Sequence, residues 1–224
     1  MPIRASLRTC FTFSPSPPNR KAYITGWIIQ PAMRAREACA TAMMTAACLA
    51  ASYALVGVPN VTLMDFLVFA SGLLFGPKVG VSVAVLTWAI YGTLNPYGFC
   101  FPILIATSAS ETIYGLAGGL LRRSWAPSWP EGERLAWSAY RLGVLGFCLT
   151  ALYDLLTNIA YAYVFGVPLL LALACGAYFA LVHELTNALI FATCTPALAR
   201  VARLLGPSEL GLARGREVVG SGGT

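Results

Sequence analysis

Residues 60–94 read NVTLMDFLVFASGLLFGPKVGVSVAVLTWAIYGTL. Asp65 and Lys78 are the only charges in the stretch, and apolar runs lie on either side of Gly76-Pro77-Lys78. Glycine lets the chain turn and proline withholds a backbone donor, so two apolar helices joined by a tight turn are expected here. The runs are continuous, without the alternation of a barrel strand, and a helix satisfies its own backbone groups in lipid.

The same texture extends along the chain. With 224 residues, 58% of them hydrophobic and 11% charged, the chain has too little charge for a soluble domain. Several runs approach the ~20 residues that cross a hydrocarbon layer about 30 Å thick. The expected class is an all-α integral membrane protein, a bundle of six transmembrane helices at about 37–58, 63–75, 80–94, 102–121, 142–165 and 168–195. Residues 1–33 are expected to form a flexible basic tail, 34–205 the six-helix transmembrane domain, and 206–224 a Gly-rich disordered tail. The long loop is expected at 122–141.

Charge placement orients this layout. Lys and Arg near span ends resist translocation, whereas acidic residues matter little. Six alternating spans put all 15 Lys and Arg on one side. The loops 59–62, 95–101 and 166–167 carry none. Both termini are therefore expected in the cytoplasm, with a multi-pass location in the cell membrane. Seven cysteines contain no CxxC pair and lie mostly in apolar runs, so neither a disulfide framework nor a metal knot is expected.

Ionisable groups inside spans are expensive and face a cavity or a partner. They are Asp65, Glu111, Asp154, His183 and Glu184, accompanied by Asn158 and Asn187. At about 1.5 Å per residue, Glu111 and Asp154 lie on the order of 15 Å from the outer ends of their helices, and His183 about 20 Å. Asp154 and Asn158 are four residues apart, as are His183 and Asn187, so each pair shares a helix face. Such ladders either hold helices together or line a ligand cavity. Paired carboxylates make poor glue, so a cavity is expected, with Glu111, Asp154, Asn158, His183 and Asn187 on its walls and Tyr91, Asn95 and Tyr97 at its mouth.

Catalysis is not expected, because Ser71, Ser82, Ser108 and Ser110 stand in no GxSxG setting beside His183. GxxxxGK[ST] and GxGxxG are both absent, so ATP hydrolysis would have to come from another polypeptide. Nothing in the sequence points to a cofactor or to a nucleic-acid partner. Ala38, Ala42, Ala46, Ala50 and Ala54 form a row of small residues along which another helix could approach closely, or which serves internal packing.

In this order, the alanine row, NVTLMDFLVFASGLLFGPKVG with its LFGP-x-x-G turn, ETIYGLAGGLLRR at 111–123 and the two late polar ladders resemble the substrate-binding S component of energy-coupling factor (ECF) vitamin transporters. The resemblance covers about 34–205. It implies a six-helix protein that binds a vitamin-like molecule from outside and docks to a membrane coupling protein (T component) with two ATPase subunits. The family's AxxxA motif carries over to Ala38, Ala42 and Ala46 as the partner surface. The resemblance also implies a site in the outward half, covered by the first and third outer loops. Members that take up nickel or cobalt use an N-terminal His, and His183 is the only His here, so metal uptake is not expected. With no Lys or Arg on the outer side or within a span, polyanions are disfavoured and a cationic or donor-rich neutral compound is favoured. The alternative is a non-transporting membrane scaffold of the MreD-like type, which shares the helix layout but needs no ionisable groups in its spans.

Overall fold

A computed structural model describes residues 35–94, 96, 98–125 and 131–209, without the side chains of Arg123 and 206–209. The tail at 1–33, Asn95, Tyr97 and the chain beyond 209 lie outside the described residues. Among the described residues the regular elements are all helices: α1 (Ala35–Ala54), α2 (Met64–Phe75), α3 (Pro77–Leu94), α4 (Phe101–Trp125), α5 (Glu133–Phe165) and α6 (Leu169–Glu209).

The short helix α2 is the centre of the bundle. Ten of its 12 residues are buried, Asp65 and Ser71 among them, because it touches α1, α3, α4 and α6. A helix apolar on all sides belongs in such a position. Gly76 ends it with φ 103°, and its N–H bonds to Gly72 O at 2.9 Å. Pro77 then opens α3, where a missing donor costs nothing and φ is already helical.

Glycines bring α2, α3 and α4 into backbone contact. A Cβ on Gly72 would lie 2.1 Å from Gly115 O, one on Gly80 would lie 2.8 Å from Gly115 Cα, and one on Gly118 would lie 2.1 Å from Phe69 O. Gly72, Gly80 of LFGP-x-x-G and the glycines of YGLAGG are thus the contact points of three helices. On the other side of the bundle α5 and α6 form a long pair, joined where Gly166, at φ 66°, caps α5 through its N–H to Ala162 O. Gly143 and Gly146 of α5 leave room for Ala188, Ala192 and the Phe191 ring of α6. Phe191 then meets Phe66, Phe69 and Tyr114, with ring centroids 5.1–6.3 Å apart, and so connects the pair to α2 and α4.

In α1 the buried positions Ala40, Thr41, Thr45, Cys48 and Ser52 recur every three or four residues and share one face. Ala38, Ala42, Ala46, Ala50 and Ala54 are all exposed. The alanine row faces away from the rest of the described chain and does not serve its internal packing.

Two stretches expected to be irregular are partly helical. α4 continues to Trp125 and α5 begins at Glu133, so most of the loop expected at 122–141 is helical. α6 runs to Glu209, four residues into the stretch expected to be disordered. Span limits follow where apolar side chains stop, whereas a helix continues into polar sequence while its backbone bonds persist.

Among the described residues three helices are long and apolar enough to cross a membrane: Pro77–Leu94, Glu133–Phe165 and the Leu169–Leu205 part of α6. Large apolar side chains cover their outer faces, with Leu170 81%, Tyr163 89% and Leu189 66% exposed. Exposed apolar surface this continuous needs an apolar neighbour.

Candidate functional site

A partly open cavity of about 690 Å³ lies where the end of α1, the starts of α2 and α4, and the ends of α3 and α5 come together against α6. Its base is polar. Asp65 stands in the first turn of α2, which points it inward with the rest of that buried helix. His183 comes from α6 and Asp154 from α5. His183 Nε2 is 2.9 Å from Asp65 Oδ2, and Nδ1 is 3.0 Å from Asp154 Oδ1, so the ring is held at both nitrogens between two carboxyl groups. All three residues line the cavity.

A further layer of hydrogen bonds fixes this base from below. Asn187, one turn from His183, donates from Nδ2 to Asp65 Oδ2 and also to Thr150 Oγ1, at 2.9 Å for the latter. Thr150 Oγ1 also accepts from Tyr114 OH at 2.9 Å and donates to Gly146 O at 2.8 Å. The His183 and Asn187 pair therefore brackets one carboxyl, as a four-residue spacing permits. Asn187 is fully buried and does not line the cavity.

The walls are aromatic. Trp88, Tyr91, Tyr153, Tyr161, Phe165, Phe179 and Phe99 contribute. Tyr153 sets its ring edge-on to His183, centroids 5.9 Å apart, and Trp88 meets Tyr91 in the same manner at 5.9 Å. Segments 58–62 and 98–100 complete the wall. These belong to the first two loops without Lys or Arg, where the resemblance implies the first and third. Thr186 Oγ1 donates to Asn60 O at 3.2 Å, which fastens the first of these loops to α6.

The remaining expected residues are placed elsewhere. Glu111 is fully buried and lies outside the lining; the indole N–H of Trp88, itself a wall residue, donates to its Oε2 at 3.3 Å. Asn158 donates to Asp154 O at 2.8 Å, and its Oδ1 lies over Gly176 in a separate crevice of about 350 Å³ between α5 and α6. Asp154 and Asn158 are neighbours on one helix but open into different spaces. Asn95 lies outside the described residues.

Asp65, Trp88, Tyr114, Thr150 and Tyr153 belong to the arrangement without having been singled out as site residues in the sequence. Asp65 carries a signal, an isolated acid in an apolar helix. Its partner His183 is 118 positions away, so no spacing pattern could join the two. Comparison with protein-family models, with curated proteins and with solved structures found no match for this chain.

Proposed function

We propose that this chain is the substrate-specific (S) component of an ECF-type importer, a six-span bundle with both termini in the cytoplasm. On this reading it binds a vitamin or related small micronutrient from outside and delivers it through a membrane coupling protein driven by two separate ATPases. The observation that carries the reading is the cavity. It has the volume of a small-molecule site, is walled by aromatic rings and has a few convergent polar groups at its base. It also lies at the end of the helices whose loops carry no Lys or Arg, which the charge rule assigns to the outside.

The alanine row adds support for a partner. Ala38, Ala42 and Ala46 are exposed, on a face of α1 beside the one that packs. A second membrane helix could approach that face to backbone distance. α1 would then have one face for its own bundle and one for the coupling protein.

Purification of the chain from its native membrane, followed by mass spectrometry of everything that accompanies it, tests the reading. The expected result is a bound small molecule, a membrane coupling protein and two ATPases. Ala42→Leu is expected to lose the three proteins and keep the small molecule. Recovery of membrane partners with neither ATPases nor a small molecule would favour the scaffold alternative.

A further inference from the structure

We propose that the occupant of the cavity is an organic monocation, its positive nitrogen seated over Asp65, His183 and Asp154 and its body against the aromatic wall. This rests on the substrate-binding reading above and names the class of substrate.

Proton counting at the base carries the inference. Both ring nitrogens of His183 are within hydrogen-bond distance of a carboxyl oxygen, at 2.9 and 3.0 Å. Each of those contacts needs one proton between nitrogen and oxygen. Two protons are therefore shared by three groups. They make an imidazolium between two carboxylates, or a neutral imidazole that donates to one carboxylate and accepts from one carboxylic acid. The sum is one negative charge in either description.

Nothing on the cavity wall offsets that charge. Lys and Arg are absent from its described lining. Lys78 stands at the start of α3 and Arg122 near the end of α4, while the cavity uses the end of α3 and the start of α4. A net charge in a partly open cavity keeps only part of its hydration and has no counter-charge, and a cationic occupant removes the imbalance. Asp154 Oδ2, buried and without a hydrogen-bond partner among the described residues, adds to the uncompensated charge of the base.

The wall selects the kind of cation. Trp88, Tyr91, Tyr153, Tyr161 and Phe179 present ring surface to the cavity, and aromatic faces attract ammonium-type charges. A small hard metal ion needs several oxygens converging on it. Here the two His183 nitrogens point apart, each toward its own carboxyl. The volume, about 690 Å³, accommodates a molecule with a substantial body.

Equilibrium dialysis of the full chain in lipid nanodiscs, with empty nanodiscs as blank, tests this with three probes of one size. They are benzyltrimethylammonium, neutral N,N-dimethylbenzamide and anionic benzenesulfonate. The cation is expected to bind at least ~10-fold more tightly than the amide, as a charge-assisted contact implies, and the sulfonate not at all. Asp65→Asn together with Asp154→Asn leaves the base without a carboxylate, and so without negative charge in either protonation state of His183, and should shrink the cation-to-amide ratio to within about 3-fold, with Asp65→Glu and Asp154→Glu together restoring it. Equal or tighter binding of the amide or the sulfonate by the wild-type chain overturns the proposal, as does a ratio that survives the paired Asn substitutions. The wild-type comparison decides the matter even if the Asn variant does not fold. Failure of all three probes to bind instead overturns the cavity as a ligand site, and with it the reading on which this inference rests.

Discussion

Thr150 has one hydroxyl and three partners. It accepts from Tyr114 OH and from Asn187 Nδ2, both at 2.9 Å, and donates to Gly146 O at 2.8 Å. Through Asn187 it also sets the position of the Asp65 carboxyl. Thr150→Val keeps the shape and removes the oxygen, which leaves the buried Tyr114 hydroxyl without an acceptor. A stranded buried polar group costs about 1–3 kcal/mol. The apparent Tm of the purified protein should fall by roughly 5 °C, and Thr150→Ser should recover most of it. A Val variant that melts with the wild type would show that the layer beneath the base contributes no rigidity. At this scale the sequence was informative about type and silent about pairing. It marked Asp65, Asp154, His183, Asn187 and Glu111 as groups that need a partner, and each finds one on another helix: His183 between Asp65 and Asp154, Asn187 at Asp65 and Thr150, and Glu111 at Trp88.

Between elements, close approach is set by glycine. Gly72 and Gly118 sit where a Cβ would fall 2.1 Å from a backbone carbonyl oxygen of the neighbouring helix, and backbone cannot step aside as a flexible side chain can. Gly118→Ala should separate α2 from α4 and sharply lower the yield of monodisperse protein in size-exclusion chromatography. Gly57→Ala, with nothing within 4 Å of the added carbon, should leave it as it is. Equal yields would mean that α2 and α4 can part without loss of the bundle. In the sequence Gly118 is a position of YGLAGG, and Gly72 lies four residues ahead of Gly76 of LFGP-x-x-G. Only the packed helices assign them a physical role, because a glycine required for a turn and one required for contact read alike. Gly76, with φ 103°, is the turn glycine of the group.

On the scale of the whole molecule, helix lengths do not match one membrane thickness. α2 has 12 residues, about 18 Å, while α5 and α6 have 33 and 41, about 50 and 60 Å, against a hydrocarbon layer of roughly 30 Å. A helix surrounded by protein need not reach both interfaces, and the long pair can tilt or extend into water. On the proposed topology Cys100, at the cavity rim, faces outside and Glu131 faces the cytoplasm. In a background without the other cysteines, an impermeant thiol reagent applied to intact cells should label Cys100 and spare Glu131→Cys. The exchange at Glu131 gives up an exposed ion pair with Arg203, 2.9 Å, which contributes under ~1 kcal/mol. Labelling at 131 with none at Cys100 would invert the topology and put the cavity on the cytoplasmic side.

The sequence by itself determined the helical class and the approximate place of the six helices among the described residues, because apolar run length and charge placement are local properties that add along the chain. It also identified the in-span polar residues, since each is costly wherever it points. The tertiary structure alone decided which of them meet. His183 joins Asp65 across 118 positions and Asp154 across 29, while Asn158, four residues from Asp154, opens into a different crevice. Periodicity tells which face of a helix a residue occupies, and the rotation of each helix against its neighbours decides what that face sees.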